Sequence, residues 1–210
     1  MNLLIHTGGF VQTNGYILTH DDGTCIVIDA PAGIADFLRE KSLKPTHLLL
    51  THQHFDHVDD VAALRADGAL VFAYQDYAPE IIMEKRIQEM GIPVKIPPYE
   101  VDEVIGENSI LEISGHHFNL AHVPGHSPDS ISFHLLTESY LFAGDALFNG
   151  SIGRTDLPGG NHELLLDSIR QKLYILPEET TIFPGHGPQT SIGTEKKTNP
   201  FCPNIEPPTP

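Results

Sequence analysis

Short apolar runs alternate with helical patterns along the whole chain. Residues 3–6, 15–19 and 24–28 read as strands, and His20-Asp21-Asp22-Gly23 has the residue types of a hairpin turn between the last two. Ile34, Phe37 and Leu38 recur at helical spacing within 33–42, a pattern that stops before Pro45, and residues 47–50 return to a short apolar strand. Farther along, 59–67 reads as a helix ended by Gly68, 69–73 as a strand, and 79–90 as an amphipathic helix closed by Gly91. Strands at 109–113, 118–123, 130–136 and 140–142 point to a second sheet, with 162–176 as the last helix and 180–183 as the final strand. Strands and helices interleaved in this way argue for a layered α/β domain, and no repeat recurs at a solenoid period.

Composition narrows the picture. A chain of 210 residues, 40% hydrophobic and 19% charged, is expected to form one domain over 1–210 whose core needs no disulfide. Residues 199–210 hold five prolines and are expected to form an extended tail, a candidate for disorder. No apolar run approaches the ~20 residues of a membrane span, and the first residues, Met1-Asn2-Leu3-Leu4-Ile5-His6, lack the basic start of a signal peptide; a cytoplasmic location is the expectation. Twelve basic against 28 acidic residues give a formal charge of −16, which repels a phosphate backbone, so no nucleic-acid partner is expected. Cys25 and Cys202 form no paired motif, so any metal must be held by nitrogen and oxygen.

Candidate chemistry concentrates after the strand at 47–50. Thr51-His52-Gln53-His54-Phe55-Asp56-His57 places three imidazoles and a carboxylate in one loop, more donors than a single tetrahedral ion takes from one segment, and this suggests two ions. Three later turns, Pro124-Gly125-His126, Ala143-Gly144-Asp145 and Pro184-Gly185-His186, each present one donor immediately after a glycine. The candidate ligands are therefore His52, His54, Asp56, His57, His126, Asp145 and His186. Asp29, at the end of 26–28, and His122 are candidates to orient a ligand from behind. His6, His20, His47, His116, His117 and His162 stand at no such turn, and His134 falls in a strand pattern; structural roles are expected for all seven.

The loop His52-x-His54-x-Asp56-His57, followed by these His, Asp and His turns, resembles the metallo-β-lactamase superfamily. The stretches 144–148, 150–156 and 184–188, with Asn199-Pro200-Phe201, resemble its glyoxalase II branch of hydroxyacylglutathione hydrolases. The resemblance implies an αββα four-layer sandwich and two divalent metal ions, zinc first, with iron or manganese accepted by the same donors. By resemblance, His52, His54 and His126 hold one ion, Asp56, His57 and His186 the other, and Asp145 bridges them. It further implies hydrolysis of a small thioester, glutathione-linked in that branch, by a metal-bridging hydroxide that Asp56 orients or whose proton it takes as attack proceeds. Lactamases of the superfamily commonly lack the bridging aspartate, so antibiotic hydrolysis is not expected. Glyoxalase II enzymes grip glutathione with a helical C-terminal region, whereas only 24 residues follow His186 here. Arg154 is the candidate clamp for a substrate carboxylate, with Lys196 and Lys197 as outside candidates. The competing implication is a glutathione persulfide dioxygenase with one iron on His52, His126 and Asp145; those enzymes tend to carry a cysteine where this chain has Ile152.

Overall fold

The computed structural model describes residues 1–106 and 110–203. By its contacts the chain divides into two compact units, Met1–Asn108 and Ser109–Pro210.

The first unit is a mixed six-stranded sheet in sequence order. Strands β1 (Asn2–Gly8), β2 (Thr13–Thr19) and β3 (Cys25–Ile28) are antiparallel neighbours; β4 (His47–Leu49), β5 (Leu70–Ala73) and β6 (Glu103–Val104) continue it in parallel. Parallel neighbours need crossovers, and helices α1 (Ile34–Glu40) and α2 (Val61–Ala66) supply the first two. Helix α1 buries Ile34, Ala35 and Leu38, the face its periodicity foretold. Where it begins, a Cβ on Gly15 of β2 would stand 2.5 Å from Ile34 Cδ1 and 2.8 Å from the rigid Pro31 ring, a close approach that favours glycine.

The helix expected over 79–90 is instead two, α3 (Pro79–Ile82) and α4 (Glu84–Glu89), separated by Met83 in the left-handed conformation, φ 59°. Ile82 and Met83 are both buried. Met83 in that conformation is at once the end of α3 and the start of α4, which buries Ile87.

The second unit has its own mixed sheet, ordered β14-β13-β10-β9-β8-β7. Its strands are β7 (Ile110–Ile113), β8 (His116–His122), β9 (Ile131–Leu135), β10 (Tyr140–Gly144), β13 (Thr181–Pro184) and β14 (Thr190–Ser191). Ser109, expected to open the first of these, lies outside the described residues. Among its described residues, only β10 and β13 run parallel. Between them, β11 (Leu147–Phe148) and β12 (Ser151–Ile152) form a small hairpin around Asn149-Gly150, a turn signal overlooked in the sequence. The helix expected over 162–176 is α5 (His162–Ser168), capped by the Asn161 side chain, running into a π-helical turn, Ile169–Leu173.

It is not the last helix. α6 (Ile192–Thr198) follows, started by the Ser191 hydroxyl accepting from the Thr194 amide. Its sequence, Ile192-Gly193-Thr194-Glu195-Lys196-Lys197-Thr198, has one large apolar residue and so no stripe to read. Leu165, Ile169, Leu173, Leu141, Ile182 and Ile192 pack together with Val123 and Cys202 in this unit's core.

The tail expectation needs correcting from Asn199 to Pro203. The Asn199 side-chain oxygen accepts from the backbone amides of Phe201 and Cys202, and Cys202 is fully buried. Prolines remove donors, but here a buried asparagine satisfies the amides that remain, so the segment is held against the core. Residues 204–210 lie outside the described residues. Among the described residues, no helix is long and apolar enough to cross a membrane.

Candidate metal centre

In the first unit the donors sit where β4 ends, the edge at which parallel strands open into loops. Residues 51–58 are all buried, and Phe55–His57 is a single 3-10 turn. His52 Nε2 and His54 Nδ1 stand 3.1 Å apart; His57 Nε2 and Asp56 Oδ2 stand 3.4 Å apart. The loop thus offers its donors as two pairs.

Their orientation is set from behind. Asp29, held just past β3 with φ 59°, accepts from the Thr51 amide (2.8 Å), the Thr51 hydroxyl (2.7 Å) and His57 Nδ1 (2.9 Å). A carboxylate can only accept, so His57 carries its proton on Nδ1 and its lone pair on Nε2. With its own proton given to Asp29, the Thr51 oxygen is left to accept from His52 Nδ1, 3.2 Å away, which likewise leaves the His52 lone pair on Nε2. The Thr13 hydroxyl donates to Asp56 Oδ2 at 2.6 Å. Asp29 is where the sequence placed it as an orienting group. Thr13 and Thr51 were missed, because threonine in a strand or after one carries no pattern of its own.

Asp29→Asn tests this arrangement sharply. One amide cannot accept from both the Thr51 N–H and the His57 N–H, so the imidazole must turn its proton to Nε2 or lose its partner. Zinc affinity, measured by chelator competition, is expected to fall by about 10–100-fold. An unchanged affinity would remove Asp29 from the site. Beside the loop, the half-buried Asp59 carboxyl is pushed up to about 6, first by burial and then by Asp60 and Asp56.

In the second unit, Asp145 and His186 follow the parallel neighbours β10 and β13, and His126 follows β8. The Gly185 amide donates to the Gly144 carbonyl at 2.8 Å and ties two of the turns together. Gly125 has φ 129°, and a Cβ there would meet the Leu165 backbone at 2.5 Å, so glycine is required before His126. Asp145 Oδ2 stands 3.4 Å from His126 Nε2 and also 3.4 Å from His186 Nε2, one carboxylate oxygen between two imidazoles. His126 Nδ1 lies 2.8 Å from the Arg154 carbonyl, an acceptor only, so the His126 lone pair is also on Nε2.

The Arg154 guanidinium makes two 2.7 Å bonds to the exposed Asp156 carboxylate, which holds it still more firmly protonated. Lys197 pairs with Glu178 at 2.6 Å. The His122 ring bonds the Pro128 carbonyl.

The donor set fits divalent cations. Three imidazoles are held with Nδ1 donating and the lone pair on Nε2, and in the first unit that of His52 faces His54 Nδ1 at 3.1 Å; two such nitrogens share either a proton or a cation. Nitrogen and carboxylate oxygen suit zinc, iron and manganese.

Comparison with known proteins agrees. The family model for the metallo-beta-lactamase superfamily matches residues 8–186. Hydroxyacylglutathione hydrolase GloC of Haemophilus influenzae is 36% identical, over 96% of this chain and 98% of its own. Among solved structures, BLEG-1 B3 metallo-beta-lactamase matches with a TM-score of 0.87 and 38% identity, covering 96% of this chain and 99% of its own. TTHA1623, in a di-iron-bound form, matches with a TM-score of 0.80 and 34% identity over 94% and 99%. The two mixed sheets flanked by helices are the metallo-β-lactamase fold. The chain belongs to the metallo-beta-lactamase superfamily, in its glyoxalase II-like branch.

Proposed function

We propose that the protein is a dinuclear metal-dependent thioesterase acting on a small, glutathione-linked acyl thioester. In this reading the two donor sets serve one centre. His52, His54 and His126 would hold one ion, Asp56, His57 and His186 the other, and Asp145 would be shared. The observation that carries it is the Asp145 oxygen at 3.4 Å from both His126 and His186, the placement a carboxylate bridge needs. When bound, two such ions supply Lewis-acid chemistry, bringing a water's pKa toward ~7 and polarising the substrate carbonyl.

The chain's own groups do the rest. Asp56, its Oδ2 fixed by the Thr13 hydroxyl, is the carboxylate placed to orient the attacking water or take its proton. No general acid is required, because a thiolate with a pKa of roughly 8.5 leaves unprotonated. Arg154 clamps a substrate carboxylate only if that carboxylate displaces Asp156, so its contribution is to selectivity rather than to the chemical step. GloC, a hydroxyacylglutathione hydrolase similar over nearly its whole length, supports the substrate class. Zinc is the proposed ion, and the di-iron form of TTHA1623 makes iron its competitor.

One observation favours a second reading: the similarity to a B3 metallo-beta-lactamase, which would make a lactam amide the substrate. An amide nitrogen is a far poorer leaving group than a thiolate, and the donor set includes no separate acid to assist it. The test is elemental analysis of the purified protein with rates on S-lactoylglutathione and on a chromogenic cephalosporin. Expected are about two metal ions per chain, thioester cleavage abolished by chelation and restored by metal, and a much slower lactam reaction. One ion per chain after reconstitution would overturn the dinuclear assignment; a faster lactam rate would overturn the thioesterase.

A further inference from the structure

The hairpin β11–β12 begins two residues after Asp145 and returns the chain to the backs of two proposed ligands. Gly153, just past β12, is pressed against Asp145: a Cβ there would overlap the Asp145 carbonyl oxygen and stand 3.1 Å from the His126 Cβ. The next residue, Arg154, holds His126 Nδ1 through its carbonyl. Wherever this hairpin sits, Asp145 and His126 must follow.

Its position is fixed by a carboxylate the proposed chemistry does not use. Glu195, on α6, is fully buried. Its Oε2 accepts from the Gly150 amide at the hairpin tip (3.0 Å) and from Asn199 Nδ2 (2.8 Å), while Oε1 accepts from the Thr190 hydroxyl (2.6 Å). Asn199 Nδ2 also donates to the Ser151 carbonyl, 3.0 Å away, on the returning strand. A fully buried carboxylate is costly to desolvate, and three neutral donors converging on one are a built arrangement rather than a surface accident. Two residues of α6 and its end therefore grip the hairpin at Gly150 and Ser151, and the hairpin grips His126 and Asp145 at Gly153 and Arg154.

We propose that Glu195 and Asn199 are positioning residues of the metal centre, acting through the β11–β12 hairpin on Asp145 and His126. This rests on the assignment of those two residues as ligands. The role also gives Asn199, of the stretch Asn199-Pro200-Phe201, a place beside the chemistry.

The geometry foretells which substitutions matter. Glu195→Gln keeps the grip: its oxygen takes the place of Oε2 and its amide donates to the Thr190 hydroxyl, which can turn to accept. Glu195→Ala releases Gly150 and Asn199 together. Asn199→Asp keeps the acceptor for the Phe201 and Cys202 amides but sets an oxygen against Ser151 O and Glu195.

The experiment is zinc binding by competition with a chromophoric chelator, alongside thermal unfolding of the metal-free proteins. E195A and N199D are expected to weaken zinc binding by about 10–100-fold while E195Q stays within ~3-fold of the parent. If E195A does not fold, N199D against E195Q carries the same comparison. Variants that lower the metal-free melting temperature but bind zinc like the parent overturn the proposal and leave an ordinary structural role. A parent that binds neither zinc nor iron nor manganese overturns the ligand assignment itself, and with it this inference.

Discussion

Asp145→Ala is expected to cost both metals and about 1,000-fold in thioester cleavage, more than the loss of any single histidine. Its Oδ2 lies 3.4 Å from the histidines assigned to the two different ions, so its removal takes a ligand from each. It also takes the negative charge that allows two cations to remain close together. Losing several kcal/mol of charge stabilisation, at about 1.4 kcal/mol per tenfold in rate, gives roughly that factor. Asp145→Asn keeps the shape and removes only the charge, so its metal content should fall between parent and alanine variant. Elemental analysis of each variant after identical reconstitution, with kcat/KM on S-lactoylglutathione, reads both quantities. An alanine variant that keeps two metals and most of its rate would show that the carboxylate is not shared.

His186→Ala should impair thioester cleavage as severely as His52→Ala, each by about 100-fold or more, because a dinuclear hydrolase needs both ions. The comparison separates hydrolysis from oxygenation at a single iron on His52, His126 and Asp145, where His186 would stand outside the ligand set and its loss would be milder. The companion measurement is oxygen uptake with glutathione persulfide, expected to be negligible. Fast iron-dependent uptake, with a mild effect of His186→Ala and no thioester cleavage, would move the protein from hydrolase to dioxygenase while leaving its fold and family untouched.

The loop from His52 to His57 was legible because four donors in six residues after an apolar strand are a local pattern, independent of what the rest of the chain does. The turns at His126, Asp145 and His186 were legible as a recurrence. The way in which Asp145 stands between the two histidines was not, since that depends on β10 and β13 lying side by side across some forty residues of intervening chain. Arg154 illustrates the limit well. Its charge was visible, but its backbone carbonyl, which carries no sequence signal, is what fixes His126, while its guanidinium is taken by Asp156.

By itself the sequence determined the alternation of strands and helices, the donor types available to a metal, and the exclusion of cysteine ligands. These follow from residue chemistry and from periodicities of two and 3.6, which act over a few residues. Only the tertiary structure decided the break at Met83, the helix at Ile192–Thr198, the packing of Asn199 to Cys202 and the proton positions on His52, His57 and His126. The last three are set by what each group meets in the folded chain: a buried carboxylate meeting a hairpin, an asparagine oxygen facing two amides, an acceptor facing an imidazole. Such pairings come into being only when the backbone has folded, because the free energy of a buried polar contact depends on what stands opposite it.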